Sequence, residues 1–336
     1  MSKQTVAGLD IGGTKIAVAL ADTDGNVISH TRFDTRVELG PHRILERALA
    51  EIERMREETG THLVALGVGC GGPLDRERGL ILSPPNLPDW DEFPIIEIIE
   101  KRLGIPALLD NDANAAALGE FNYGAGRGLS NIVYITISTG IGGGIIIKGQ
   151  IFHGVNDGAG EVGHITVLPD GPACGCGGRG CLEAICSGTS IARRARERLL
   201  AGAHSSITTM AGEINAVTAK VVAEAVRTGD KLAAEIWDET TYYLAVGISN
   251  IINVLAPEAV ILGGGVSTAG ELLLEPLRRQ VQSRNTMLPP DKINILQAAL
   301  GGDSGSYGAL ILGQNGIASK EHDEAVGPGS SKTVRQ

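Results

Sequence analysis

Aromatic side chains are scarce, since Phe, Trp and Tyr together make up 3% of the 336 residues. Binders of single-stranded nucleic acid need aromatic faces to stack bases on. Positive charge is short as well: 29 Lys and Arg stand against 39 Asp and Glu, a formal net charge of −10. A duplex binder or a protein of anionic membrane surfaces wants a basic face instead, so no nucleic-acid or membrane partner is expected. Long apolar runs are missing too. The most apolar stretch, Leu244 to Leu262, is interrupted by Ser249, Asn250, Asn253, Pro257 and Glu258, so no segment reads as a membrane span. Asp10 comes too early for a signal peptide, and a cytoplasmic location is expected. Finally, no Gly-x-x-x-x-Gly-Lys-Ser/Thr run occurs, which excludes a P-loop NTPase.

What the chain does have is glycine, 47 residues of it. So much glycine suits tight turns and loops whose backbone approaches a ligand closely. Val6 to Leu9, the turn Asp10-Ile11-Gly12-Gly13-Thr14 and Lys15 to Leu20 read as strand, turn, strand, and Val27 to Phe33 continues the sheet. A helix follows with Ile44, Leu45, Ala48, Ile52 and Met55 on one face, closed by Gly60, and then a buried strand from Leu63 to Val68. Ile132 to Ser138, a glycine turn from Thr139 to Gly144, and Ile145 to Lys148 repeat the opening design. The repeat suggests two related α/β halves facing each other across a cleft; two unrelated hairpins would give the same local pattern. From Ser187 the chain turns helical, with Thr189 to Leu200, Thr218 to Arg227 and Lys231 to about Leu255 at helical spacing. Ala259 to Leu262 is a short strand ending in Gly263-Gly264-Gly265, and a helix from about Gly270 to Gln282 follows. Domains are expected at 1–118 and 119–316, with the final helix free to return to the first, and a disordered tail at 317–336.

Four of the five cysteines fall between Cys174 and Cys186. In a reducing compartment that points to metal before disulfide. Cys174, Cys176 and Cys181 lie on a loop whose glycines can aim them inward, and His164 supplies a natural fourth ligand. Four ligands with no open position describe a structural Zn²⁺ site; reduced, unligated thiols in a flexible loop are the plainer alternative. A nucleic-acid zinc finger is disfavoured because no basic recognition helix accompanies the knot. Cys70 and Cys186 fall outside the spacing and read as small buried residues.

Two further segments carry chemistry. In Asp10-Ile-Gly-Gly-Thr-Lys15, the glycines Gly12 and Gly13 let amides approach phosphate oxygens, Thr14 adds a hydroxyl and Lys15 a charge. Asp10 is placed to hold Mg²⁺ through water; an ordinary hairpin with a capping Asp fits these six residues equally. At Leu108-Leu109-Asp110-Asn111-Asp112-Ala113-Asn114 a strand gives way to a helix, so one of the three polar residues is an N-cap. A carboxylate there stays ionised and ready to accept a hydroxyl proton.

With these residues the sequence resembles the ROK family of bacterial sugar kinases and sugar-responsive repressors, over nearly the whole chain to about Gly316. The matching elements come in family order: Asp10 to Lys15, Asn86-Leu-Pro-Asp-Trp90, Asn111-Asp-Ala-Asn114, Ser138-Thr-Gly-Ile-Gly-Gly143, Gly160-Glu-Val-Gly-His164, Cys174 to Glu183, and Gly263 to Gly265. The resemblance implies an actin-like, duplicated ribonuclease-H-type α/β fold of two lobes. It also implies ATP-dependent phosphorylation of a hexose 6-hydroxyl. In its terms Asp112 is the catalytic base. Asn111, Glu161, His164 and Glu183 bind sugar hydroxyls together with Asn86, and Asp10 to Lys15, Thr139, Gly140 and Gly263 to Gly265 serve the nucleotide. His164 would then serve twice, one ring nitrogen on zinc and the other toward the sugar.

One departure stands out. The family's usual Pro-Gly-Pro reads Gly71-Gly72-Pro73 here, in a loop that the resemblance places, with Gly72, at the sugar. Glucose is the leading substrate, with N-acetylglucosamine, N-acetylmannosamine, fructose and allose sharing the motifs. Polyphosphate could replace ATP, although relatives that use it usually lack the Cys cluster. A sugar-responsive repressor is the reading from another class, but it calls for a helix-turn-helix domain ahead of Asp10 and for basic charge. A homodimer or homotetramer is expected.

Overall fold

The computed structural model describes residues 3–326, and side chains through 317 with the exception of residue 290. The chain divides into two compact units, one running to Asn122 and taking up the chain again from Asp303, the other Tyr123–Gly302. The sequence-based boundary at 118 falls inside a helix that ends at Asn122, and the last helix counts with the first unit.

The first unit contains β1 (Gln4–Ile11), β2 (Lys15–Asp22), β3 (Val27–Asp34), α1 (Gly40–Thr59), β4 (His62–Cys70), a small ribbon of β5 (Leu74–Asp75) and β6 (Leu80–Ile81), α2 (Ile95–Leu103), β7 (Ala107–Asn111) and α3 (Asp112–Asn122). Its main sheet has the order β3-β2-β1-β4-β7. The first three strands are antiparallel, and β1, β4 and β7 are parallel. Central strands covered on both faces need continuous apolar sequence, and edge strands need alternation. The burial follows: β1 and β4 are buried almost throughout, whereas β3 alternates residue by residue. Helix α1 buries Ile44, Leu45, Ala48, Leu49, Ile52 and Met55, and stops where Gly60, at φ 63°, donates its amide to Arg56 and Glu57 carbonyls.

The second unit holds β8 (Ile132–Ile137), β9 (Ile141–Ile147), β10 (Gln150–Ile151), α4 (Leu182–Cys186), α5 (Gly188–Leu200), α6 (Ser206–Ala211), α7 (Ala219–Arg227), α8 (Lys231–Leu255), β11 (Ala259–Gly263), α9 (Gly264–Ser267), α10 (Glu271–Arg284) and β12 (Ile295–Gln297). Its sheet order is β10-β9-β8-β11-β12. The pairing is antiparallel across β10, β9 and β8 and parallel across β8, β11 and β12. Order and polarity repeat those of the first sheet strand for strand, which rules out two unrelated hairpins and establishes the duplicated α/β fold. One reading is corrected here. The glycine turn expected over Thr139 to Gly144 is shorter, because β9 already begins at Ile141. Gly143 is a strand residue whose missing side chain makes room: a Cβ there would lie 2.6 Å from Val162 Cγ2 and 2.9 Å from the Gly160 carbonyl.

The final helix, α11 (Ser304–Val326), packs on α3, β4 and β1. Backbone meets backbone at this contact, since a Cβ on Gly308 would lie 1.5 Å from the Ala115 carbonyl oxygen. The helix also continues past Gly316, where a tail was expected to begin. Gly316 does not adopt a left-handed φ, so it does not stop the helix, and Ala318, Lys320, Glu321 and Glu324 are good helix formers. Of the expected tail, residues 327–336 lie outside the described residues. Among the described residues no helix is long and apolar enough to cross a membrane.

Candidate active site

In the first unit the site begins at the C-terminal end of β1. Gly12 donates its amide to the Lys15 carbonyl (3.0 Å) and closes the turn between β1 and β2. That commits one of the amides expected for phosphate and leaves those of Gly13 and Thr14 to a ligand. Thr35 clamps the turn from β3, donating its hydroxyl to the Gly12 carbonyl and its amide to the Thr14 carbonyl. Lys15 opens β2, and its ammonium pairs with Asp34 on the neighbouring strand.

Asp10 is the last polar group of β1. Burial first, and then the charge of Asp112, push its carboxyl from the ordinary 3.8 up to about 7, while Arg32 pulls the other way. Two neighbouring carboxylates, Asp10 half-buried and Asp112 exposed, favour a bound cation over a second proton near neutral pH. A carboxyl whose folded-state pKa lies above its unfolded value adds stability below about pH 4 and loses it as the pH rises through about 7. Asp10→Asn is therefore expected to raise the ligand-free melting temperature at pH 8, by about 2–4 °C per kcal/mol relieved, with the gain shrinking toward pH 4. Thermal unfolding of both proteins across that range checks this, and an unchanged or lower melting temperature for the variant at pH 8 would contradict it.

Strand β7 leads straight into α3 and delivers the next group. Asp110 is buried and accepts from the Asn111 amide (2.7 Å) and the Asn114 side-chain amide (2.9 Å). Asn111 Oδ1 and Asp112 Oδ1 both accept from the Ala113 amide, at 2.9 and 2.8 Å. The cap at this helix start is thus shared between the two residues expected at the sugar. The remaining oxygen, Asp112 Oδ2, faces the loop after β4: a Cβ on Gly71 would lie 3.7 Å from it, and one on Gly72 would lie 3.5 Å from Asn111 Nδ2. The Gly72–Pro73 peptide in that loop is cis. Asn86 is exposed at the tip of a loop whose Leu87 and Trp90 are core anchors, 2% and 1% exposed. Gly13 touches this loop directly, because a Cβ on it would lie 2.5 Å from the Asn86 carbonyl oxygen.

In the second unit the equivalent turn, between β8 and β9, carries Thr139 and Gly140. Ser138 donates its amide to the Gly140 carbonyl (2.9 Å) and accepts from the Gly188 amide (2.7 Å), so the start of α5 pins the turn. The Gly160-Glu-Val-Gly-His164 segment lies along β9. Cβ atoms would sit 2.6 Å from the Gly143 carbonyl oxygen at Gly160 and 2.1 Å from the Ile141 carbonyl oxygen at Gly163. These two glycines let the segment press against the strand, with Val162 buried and the Glu161 side chain largely exposed. Gly263 ends β11, where a Cβ would lie 2.2 Å from Tyr134 Oη, whereas a Cβ on Gly265 would meet nothing within 4 Å. Of these three glycines, Gly265 is the one that borders open space.

His164, Cys174, Cys176 and Cys181 gather their ligand atoms within 4.8 Å of one another. Cys174 Sγ is 3.6 Å from His164 Nδ1, and Cys176 Sγ is 3.7 Å from Cys181 Sγ. A tetrahedron with Zn–S near ~2.3 Å and Zn–N near ~2.0–2.1 Å has S···S and S···N edges of about 3.8 and 3.6 Å. The donor set and its spacing fit zinc. Without a cation the cluster opposes thiolates: burial raises the Cys174 thiol and pushes Cys181 up to about 12, while the Gly178 amide lowers Cys176. His164 turns Nδ1 to the thiols and Nε2 toward Glu161, whose Oε2 is 3.7 Å away. Cys70 and Cys186 are buried and apart from the cluster.

Two participants, Arg32 and Gly305, lie outside the sequence motifs, and one contact within them joins two distant segments. Arg32 on β3 acts on Asp10 and pairs with Asp303 (2.7 Å). Gly305, in the first turn of α11, presses on the same carboxylate: a Cβ there would lie 2.4 Å from Asp10 Oδ2. The Ile141 amide donates to Glu183 Oε2 (2.8 Å). Nothing near Asp10 in the sequence announces a partner from the chain's far end.

The ROK family model matches residues 6–315. A glucokinase of Thermotoga maritima is 41% identical over 84% of this chain and 88% of its own length. A glucokinase of Halalkalibacterium halodurans is 37% identical over 92% of this chain and 94% of its own. The crystal structure of a ROK family glucokinase from Streptomyces griseus in complex with glucose and AMPPNP matches with a TM-score of 0.78 at 36% identity, covering 93% of this chain and 100% of that one.

Proposed function

The chain belongs to the ROK family, and we propose that it transfers the terminal phosphoryl group of ATP to the 6-hydroxyl of glucose. The observation that carries the reading is the corner of the first unit, where the carboxylate of Asp112 at a helix start neighbours a second, half-buried carboxylate on Asp10. The first is placed to take a proton and the second to face a cation and phosphates. The relatives named glucokinase supply the acceptor.

Asp112 holds one oxygen on the Ala113 amide, so Oδ2 is the atom that receives the hydroxyl proton. In a loose phosphoryl-transfer transition state the nucleophile's proton leaves late, so orientation matters more than basicity. Asn86, Asn111, Glu161, His164 and Glu183 are assigned to hexose hydroxyls, with Gly72 beside Asn111. The amides of Gly13, Thr14 and the Thr139–Gly140 turn, together with the open face at Gly265, are assigned to the nucleotide. Lys15, paired with Asp34 at the surface, is assigned to the nucleotide as a positive charge. Mg²⁺, when bound near Asp10, supplies charge neutralisation on the phosphates. Zinc in the His164 and cysteine cluster is structural, because all four positions are filled by protein. It sets the loop from Glu161 to Glu183 and the orientation of the His164 ring.

Three reduced thiols gathered as metal ligands suit the cytoplasm. A homodimer or homotetramer belongs to the same reading and is tested by sedimentation.

Formation of hexose 6-phosphate across glucose, N-acetylglucosamine, N-acetylmannosamine, fructose and allose, with ATP or polyphosphate as donor, tests the assignment. ATP with glucose is expected to give the highest kcat/KM; a higher value for another hexose, or activity with polyphosphate alone, would overturn it.

A further inference from the structure

We propose that Gly140 is a positioning residue for Glu183, so that the second glycine turn sets hexose recognition rather than only lining the nucleotide. The inference rests on the assignment of Glu183 to the hexose and adds what fixes that side chain.

Gly140 does not adopt a left-handed φ, so conformation does not require glycine there. Space does. A Cβ on Gly140 would lie 2.4 Å from Glu183 Oε2 and 3.3 Å from its Cδ. The neighbouring Ile141 amide donates to the same Oε2 at 2.8 Å. One carboxylate oxygen is therefore fixed by an amide and crowded by the residue before it. The other oxygen, Oε1, lies 4.0 Å from Cys174 Sγ, so the side chain is confined from both ends.

Neither backbone can retreat. The turn is tied to α5 through the Gly188 amide. Glu183 lies in the first turn of α4 between the buried Leu182 and Ala184, and its carbonyl accepts from the Ser187 amide (3.1 Å) and the Ser190 hydroxyl (2.9 Å). A methyl group at Gly140 therefore moves the Glu183 carboxylate, the flexible end of the contact, and leaves the fold in place. A glycine in the first unit's turn behaves differently. A Cβ on Gly13 would strike the Asn86 backbone, where relief needs a shift of the loop itself.

The experiment uses the full-length, metal-loaded protein. In Gly140→Ala the Ile141 amide is expected to shift in the ¹⁵N–¹H spectrum and to exchange its hydrogen faster. A hydrogen bond to a charged group is worth about tenfold or more in affinity, so KM for glucose is expected to rise by about that factor. KM for ATP is expected to rise by less than KM for glucose. Glu183→Asp shortens the side chain and clears the methyl, so adding Gly140→Ala to it is expected to change KM for glucose by less than about twofold, given the tenfold coupling expected in the full-length side chain. An unchanged Ile141 amide in Gly140→Ala would overturn the proposal. So would effects of the two substitutions that simply multiply, or a rise in KM confined to ATP. If the parent protein phosphorylates no hexose, the kinase reading fails, and the Ile141 amide still decides whether Gly140 positions Glu183.

Discussion

Asp112→Asn is expected to lower kcat for glucose phosphorylation by about 10²–10⁴-fold, the range of a lost general base. Glucose affinity should stay within about threefold, because the amide keeps the shape of the carboxyl and can still cap α3. Asp112 Oδ1 accepts from the Ala113 amide together with Asn111, so the helix start retains one acceptor in any case. The replacement also removes the like charge that, after burial, raises Asp10. The Asp10 carboxyl should accordingly move down in the variant. Steady-state kinetics combined with glucose titration by calorimetry separate these outcomes. Turnover close to that of the parent would remove Asp112 from its role. Lost glucose binding with unchanged turnover at saturation would make it a substrate ligand only.

Cys181→Ser is expected to reduce zinc from about one per chain to near none, and to raise KM for glucose by at least ~10-fold, the lower range for loosening a metal site. KM for ATP should change little, since the phosphate turns hold their shape through other bonds: Gly12 with Lys15, and Ser138 with Gly140 and Gly188. Cys181 is the ligand to change because it is buried at 2% exposure, whereas Cys176 is exposed. Its removal leaves a buried polar hydroxyl as well as an incomplete ligand set. Chelation of the parent protein should reproduce the loss and zinc should reverse it, while the variant stays unresponsive. Metal analysis that finds no zinc in freshly purified protein, or a variant with unchanged KM for glucose, would contradict this.

Most of what the site needs is local and so can be read from sequence. Strand–turn–strand units, the cap at Asn111 and Asp112, and the Cys174 to Cys181 loop are each built from one continuous short segment. The duplicated fold was legible as a repeated opening, but only strand pairing separates a repeat from two hairpins. Short elements escaped. β12 is three residues long, and α2 follows Pro94 with no side-chain cap to announce it. The end of the chain was misjudged for a physical reason. Gly316 looks like a stop, yet with no left-handed φ it takes an ordinary place inside α11. What the sequence hid entirely is the glycine contacts. Gly13, Gly140, Gly163 and Gly305 look like freedom for a loop, but each is a place where another group leaves no room for a methyl. Their partners, Asn86, Glu183, Ile141 and Asp10, are distant in sequence, and no spacing rule links them.

The central claim is the reaction itself, and product analysis tests it most directly. Purified protein with ATP, Mg²⁺ and glucose is followed by phosphorus NMR. The account predicts one glucose 6-phosphate for each ADP formed, with ADP release that stops when glucose is withheld. Phosphate on another hydroxyl, or ADP release that does not depend on glucose, would contradict it.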